Sequence, residues 1–272
     1  MSQEATPKKK PRRLQVLKSV QLTPHLQRLT LGGPELEHFP SGSNGAHIKL
    51  LLPQQGQALT LPTAGPKGLI WPAAQDRPLV RTYSIRQFNE ERKELTVDFV
   101  IHDEYGPASF WAKHAQIGDE VGLGGPGGPA LFNPDAEYFL LAGDLSALPL
   151  IAAVLEMLPS NAIGHAFIEI PSEQDQQTLQ HPEGIKLTWL ISPTPSSRLP
   201  QAVLDLPWPE QVVSATVAGE AKAVVLIRNY LRLEKKLTVS HCYAVPYWKN
   251  QHSEEAYHEE RHRTMDEVLT PA

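Results

Sequence analysis

The spacing of apolar and polar positions changes character once along the chain, near Pro134. Before it, apolar runs are short and tend to alternate. Residues 14–20 have a partial period of two. Residues 27–31 end at the turn signal Gly32-Gly33-Pro34, and 47–52 stop at Pro53. Residues 79–86 and 95–102 flank a polar turn at 89–93, and 119–123 run into a glycine cluster. Six short strands with such punctuation predict an antiparallel barrel or sandwich. One helix, 107–115, interrupts it and starts on Pro107, the residue type preferred in a first helical turn.

After Pro134 the runs lengthen. Residues 138–142 are continuously apolar, as in a strand buried on both faces. A helix over 148–158, strands at 165–170, 185–190 and 211–217, a helix over 221–235 and a last strand at 237–243 follow. This alternation predicts an α/β domain with a mainly parallel sheet. Residues 253–269 read as a terminal helix, with Ser253 as N-cap and Glu254 and Glu255 in its first turn. The expected organisation is a basic flexible tail (1–13), a β-barrel domain (14–130), an α/β domain (135–250) and a C-terminal helix (251–272).

Composition narrows the class. A chain of 272 residues accommodates two domains, and 41% apolar residues suffice for packed cores. The 25 prolines argue against a helical bundle. A single cysteine, Cys242, excludes an intramolecular disulfide and fits a reducing compartment. No apolar run reaches the roughly 18 residues of a membrane span, and the N-terminus lacks a signal-peptide core. A cytoplasmic protein without membrane partners is therefore expected. The net charge of −5 argues against nucleic acid as a partner.

Several clusters could carry chemistry. In Arg81-Thr82-Tyr83-Ser84, strand alternation puts Arg81 and Tyr83 on one face. A guanidinium pairs bidentately with a diphosphate. The tyrosine ring can lie against a flat heteroaromatic ring, and the Ser84 hydroxyl can bond a ring nitrogen. Taken singly, such a tyrosine is more often a core residue. Asp98, Val100 and His102 lead into Gly106-Pro107-Ala108-Ser109, where a helix N-terminus suits a pyrophosphate. The plainer reading there is a strand–turn–helix with a buried Trp111.

The stretch from Gly122 to Gly128 is not a dinucleotide loop, because Pro126 and Pro129 oppose the helix that such a loop must open. Better pyridine-nucleotide candidates are Gly143, Asp144 and Ser146, and then Gly219 and Glu220. Both sets lie where open α/β sheets bind ligands. Asp144 is acidic where a phosphate would approach, so it is not expected to hold one. His258-Glu259-Glu260-Arg261-His262 matches the zinc-protease signature. A catalytic zinc needs a third ligand, only ten residues follow, and no metal site is expected.

These motifs, together with Gly118-Asp119-Glu120-Val121, the turn from Ala142 to Pro149, Val217 to Ala221 and Tyr247-Trp248, closely resemble the siderophore-interacting protein family. Its members are flavin-dependent ferric-siderophore reductases of the ferredoxin–NADP reductase superfamily. The resemblance implies a barrel that binds FAD and an α/β domain that presents the electron donor, NADH, NADPH or a ferredoxin. It assigns Arg81, Thr82, Tyr83 and Ser84 to the flavin and its phosphates, and Asp98, Val100 and His102 to contacts further along. Gly106, Pro107, Ala108, Ser109 and Trp111 would surround the pyrophosphate and adenosine. Trp248 would cover the flavin or plug the domain interface. For an anionic ferric siderophore, Lys49, Lys249 and Arg86 are the cationic candidates. Relatives often carry a basic residue after the proline of the glycine-rich stretch, and Gly127 stands there in this chain. Pro246-Tyr247-Trp248-Lys249-Asn250 also departs from the family's Gly-Tyr-Trp-Arg. The reading is a monomeric ferric-siderophore reductase that frees iron in the cytoplasm. Its rivals are a non-catalytic siderophore-binding or iron-delivery protein and, more remotely, a zinc hydrolase using His258 and His262.

Overall fold

Alternation in the first half of the chain becomes strands that turn every second side chain into one core. The computed structural model describes residues 10–66, 68–102, 106–194, 197–250, 252 and 257. It divides into two units, Met1–Gly128 and Pro129–Ala272.

The first unit contains β1 (Arg12–Thr23), β2 (Leu26–Gly32), β3 (His47–Leu52), β4 (Thr63–Gly65), β5 (Gly68–Ile70), β6 (Leu79–Ser84), β7 (Gln87–Asn89), β8 (Glu94–Val100), α1 (Pro107–His114) and β9 (Glu120–Gly127). Seven strands form one antiparallel sheet in the order β6-β3-β9-β1-β2-β8-β7, and β4 and β5 make a separate hairpin. Leu14, Val16, Leu29, Leu31, Ile48, Leu50, Leu95, Val97, Phe99 and Leu123 recur at alternate positions and fill the core.

The expected barrel is not closed by strand pairing: among the described residues β6 and β7 remain edges. The two residues that link them bridge both sides of the gap. Ile85 N–H donates to Ala46, Ile85 O accepts from Gly45, and Arg86 N–H donates to Thr96. Arg12 and Arg13, expected in the tail, instead open β1. Arg12 donates to the carbonyls of Glu35 and Gly125, and Arg13 pairs with Glu120. The glycine-rich stretch stays in β9 up to Gly127. There it pairs with β3, because strand pairing needs only backbone.

One ion pair ties β2 to β8. Arg28 and Asp98 stand directly opposite. Arg28 donates from Nε (2.6 Å) and Nη2 (2.7 Å) to the two oxygens of the buried carboxylate. This bidentate geometry satisfies a charge that would otherwise be costly to bury.

The second unit contains β10 (Tyr138–Asp144), α2 (Leu148–Met157), β11 (Ile163–Ile170), β12 (Gly184–Ile191), α3 (Leu199–Leu204), β13 (Val213–Glu220), α4 (Ala221–Asn229, continued by a π-helical turn over Tyr230–Glu234) and β14 (Cys242–Trp248). Its five strands are all parallel, in the order β12-β11-β10-β13-β14. The inner strands β10 and β13 are buried almost throughout, as their continuous apolar runs require. α3 escapes the sequence pattern because it is only six residues long and starts Leu199-Pro200.

The last strand lies about five residues later than the pattern suggests. Residues 237–241 form a turn in which Thr238, Ser240 and His241 side chains bond one another, so local polar bonds displace the ladder. β14 then runs through Pro246, which an edge strand tolerates. The expected terminal helix over 253–269, with His258 and His262, lies outside the described residues apart from Tyr257, which is helical and buried.

Two tests follow from this packing. Replacing Arg28 by Ala should lower stability by about 3 kcal/mol in urea melts, because it strands a buried carboxylate, and adding Asp98→Ala should restore part of the loss. Burial pushes the Cys242 thiol up to about 11. A thiol-reactive disulfide reagent at mildly alkaline pH should therefore leave Cys242 unmodified in the native protein and react fully in guanidinium.

Candidate functional site

In the first unit, Arg81 and Tyr83 stand opposite Leu50 and Ile48, so they project from the core face of edge strand β6. Both remain half-buried where Leu50 and Ile48 are sealed. Thr82 and the buried Ser84 project from the other face, opposite Lys49 and His47. The Tyr83 ring lies 4.4 Å from that of Phe99 on β8, and Phe99 lies 5.9 Å from Trp111 on α1. This aromatic chain connects the Arg81 motif to α1: Phe99 is sealed in the core, while Tyr83 and Trp111 on either side of it stay half-buried.

α1 starts at Pro107 behind Gly106, and among the described residues no side chain caps it. Its first-turn N–H groups therefore form an electropositive end suited to phosphate oxygens. The Ser109 hydroxyl accepts from the His102 backbone N–H (3.3 Å), which ties the end of β8 to this turn. A Cβ at Gly106 would fall 2.7 Å from the ring of the exposed His102, which packs over this turn. Beside α1 is a cleft of about 610 Å³, lined by Leu79, Pro107, Phe110, Trp111, His114 and residues 53–59. A guanidinium, an uncapped helix end, half-exposed rings and an adjoining cleft fit a dinucleotide with one flat ring system. Asp98 is buried opposite Arg28, which donates to each of its oxygens. Val100 is half-buried at the end of β8 on the Asp98 side, and His102 is exposed just beyond it.

In the second unit the predicted donor residues come together at the carboxyl edge of the sheet, but around a carboxylate. Asp144 is buried. Its Oδ1 accepts from Ser146 N–H (2.9 Å) and Oγ–H (2.6 Å). Its Oδ2 accepts from Glu220 N–H (2.8 Å) and the Trp248 indole N–H (2.9 Å). A Cβ at Gly219 would lie 2.5 Å from Asp144 Oδ2, and one at Gly143 would lie 2.6 Å from the Ala147 Cβ, so only glycine lets these turns close.

Glu220 caps α4 itself: its Oε2 accepts from Lys222 N–H (2.7 Å) and Ala223 N–H (3.3 Å). Glu169 on β11, which the sequence reading passed over, lies beside Asp144 in the ladder and accepts from the N–H groups of Ser197, Arg198 and Leu199. An acid inside the apolar run 165–170 was the available signal. Three adjacent strands thus end in buried carboxylates, and the α3 and α4 N-termini at this edge are already satisfied by them.

Of the cationic candidates, Lys49 donates from Nζ to Thr82 Oγ1 (2.5 Å), which fixes it beside the Arg81 motif. Arg86 follows β6 and is half-buried, and Lys249 is half-buried just after β14. Among the described residues no three His, Cys, Asp or Glu side chains are grouped to hold a metal, and no helix is long and apolar enough to cross a membrane.

Comparison with known proteins agrees in both halves. A family described as siderophore-interacting FAD-binding domain matches residues 15–130, and one described as siderophore-interacting protein matches residues 136–251. The ferric vibriobactin reductase ViuB of Vibrio cholerae is 41% identical over 262 residues, covering 94% of this chain and 96% of that protein. The NADPH-dependent ferric-chelate reductase of Escherichia coli is 33% identical, covering 78% of this chain and 83% of that protein. The crystal structure of the siderophore-interacting protein SipS from Aeromonas hydrophila superposes with a TM-score of 0.82 at 38% identity, covering 94% of this chain and 98% of that one. Matched over residues 15–130 and 136–251 by these two families, and over 94% of its length by a relative and a solved structure, the chain belongs to the siderophore-interacting proteins and carries their FAD-binding domain.

Proposed function

We propose that this protein is an FAD-dependent ferric-chelate reductase that lowers siderophore-bound Fe(III) to Fe(II). The observation that carries the reading is the aromatic chain Tyr83–Phe99–Trp111, which joins the Arg81 guanidinium to the uncapped N-terminus of α1 on one antiparallel sheet. Arg81 and the first-turn N–H groups of Ala108 and Ser109 neutralise the diphosphate, while Tyr83 presents a face to the flat ring. Tyr83 would hold the flat ring from its side of edge strand β6, and Thr82 and Ser84 would supply hydroxyls from the other side of that strand. Pro107 and Trp111 border the cleft that would take the adenosine end, with Gly106 just before them in the chain. When bound, FAD supplies the conversion between hydride chemistry and single-electron transfer. Asp98, held by Arg28, positions β8; Val100 and His102 continue that wall.

The chelate is the substrate, not a resident metal. Hard phenolate and hydroxamate oxygens hold Fe(III) far more tightly than Fe(II), so one-electron reduction loosens the complex. On the FAD-binding unit Lys49 supplies positive charge for anionic chelates, with Arg86 as a lesser contributor; Lys249 is the cationic candidate of the α/β unit. The Escherichia coli relative is named as NADPH-dependent, which favours a nicotinamide donor over ferredoxin. Asp144 and Glu220 then act as positioning residues. They lock Ser146, Gly219 and Trp248 in place and leave the donor's phosphates to be held elsewhere. The single cysteine fits action in the reducing cytoplasm.

The reading is tested by loading the protein with FAD, following flavin absorbance under anaerobic conditions with NADPH, NADH or reduced ferredoxin, and then adding a ferric chelate with an Fe(II) trap. Bleaching by NADPH followed by trapped Fe(II) is expected; a protein that cannot take up FAD sinks the proposal. Arg81→Ala should weaken FAD retention about 10- to 100-fold, measured by fluorescence titration of the flavin-stripped protein, because a charge-assisted contact to the diphosphate is lost.

A further inference from the structure

Tyr83, Arg81 and Leu79 project from one face of β6 at steps of roughly 7 Å. All three are half-buried. With the flat ring at Tyr83 and the diphosphate at Arg81, an extended dinucleotide laid along this strand reaches Leu79 with its adenosine. Leu79 lines the cleft of about 610 Å³ beside α1. The order of side chains on one strand thus leads the far end of the cofactor into that cleft, where no residue has yet been given the task of recognising its base.

The cleft is walled by α1, by residues 53–59 and by Asp119 and Glu120 at the start of β9. Most of its polar groups are committed. Gln54 Nε2 donates to the Arg77 carbonyl (2.9 Å), an Asp119 oxygen accepts from Gln116 N–H (2.8 Å), and Glu120 pairs with Arg13. Gln55 and Gln57 are exposed, and an amide presents either its oxygen or its nitrogen to a ligand, so neither discriminates. His114, the last residue of α1, is different. Its Nδ1 lies 2.8 Å from the Phe110 carbonyl oxygen, which can only accept, so Nδ1 carries the proton. In the neutral ring Nε2 is then an acceptor, and among the described residues nothing donates to it. Phe110 also packs against the imidazole, with ring centroids 4.3 Å apart and planes tilted by 33°, which holds its orientation.

We propose that His114 recognises the adenine of FAD, its Nε2 accepting a hydrogen bond from the exocyclic amino group. Adenine presents a donor at that position. Hypoxanthine carries an oxygen there and would set acceptor against acceptor. His114 therefore selects the adenine dinucleotide, and a flavin mononucleotide, which ends at its phosphate, does not reach it. The inference rests on the placement of the diphosphate at Arg81 in the reductase reading and adds the residue that reads the other end of the cofactor.

The test measures flavin uptake and needs no turnover. Flavin-stripped protein is titrated with FAD, its hypoxanthine analogue and FMN at mildly alkaline pH, where a histidine ring is neutral, and followed by flavin fluorescence. The native protein should bind FAD about 5- to 15-fold more tightly than the hypoxanthine analogue, as expected when one hydrogen bond is exchanged for an unpaired acceptor. His114→Ala should shrink that ratio to less than about twofold and move the Kd for FMN by less than about twofold, because FMN lacks the adenosine. Asp119→Asn, which alters another acceptor of the same cleft, should keep the native ratio. Equal binding of FAD and the hypoxanthine analogue by the native protein overturns the inference. So does a ratio that survives in His114→Ala or is lost in Asp119→Asn, and so does an equal loss of all three flavins in His114→Ala. Native protein that takes up none of the three counts instead against the reductase reading.

Discussion

A carboxylate buried at the end of a strand must find donors, and in this protein Asp144 finds them on three different segments. Its partners come from its own turn (Ser146), from the end of β13 (Glu220 N–H) and from the end of β14 (Trp248). Because an unpaired buried charge costs several kcal/mol, these strand ends cannot drift apart without exposing it. The glycines at 143 and 219 are consequences of the same constraint, since a side chain at either would displace the carboxylate or its turn. Glu169 and Glu220 repeat the device on the strands to either side.

This arrangement departs from the usual logic of a doubly wound sheet. There, helix N-termini at the carboxyl edge present bare N–H groups to a dinucleotide's phosphates. Here the α3 and α4 N-termini are taken up by internal carboxylates. In the antiparallel unit, the α1 start has no side-chain cap among the described residues and borders a cleft; α2, after β10, likewise starts without a side-chain cap. The α/β half thus carries three buried carboxylates along the carboxyl edge of its sheet.

The antiparallel unit works by a different constraint. Alternation forces each strand to serve two faces, and β6, as an edge, exposes both. Arg81 and Tyr83 belong to one side and Thr82 and Ser84 to the other, so four consecutive residues surround the strand. Across the ladder, β3 answers with apolar side chains inside and His47 and Lys49 outside, while the glycines of β9 leave room beside them. Charge and space are therefore placed by register, not by any local motif.

Much of this was legible in the chain. The change of period near Pro134 and the start of α1 at Pro107 follow from local sequence, because hydrophobic periodicity and proline act over a few residues. The chemistry of the Arg81 motif and its alternation were likewise readable. Tertiary structure alone decided what depends on partners distant in sequence. That Asp98 is paired with Arg28, 70 residues away, is visible only in the ladder. Glu169, Asp144 and Glu220 are scattered along the chain, and only the parallel register brings them to one edge. The position of β14 was also lost locally, since polar side chains of 238–241 bond one another, and Pro246 hides an edge strand. Propensity and pattern are properties of neighbours in sequence; burial, satisfaction of charge and open space are properties of neighbours in the fold.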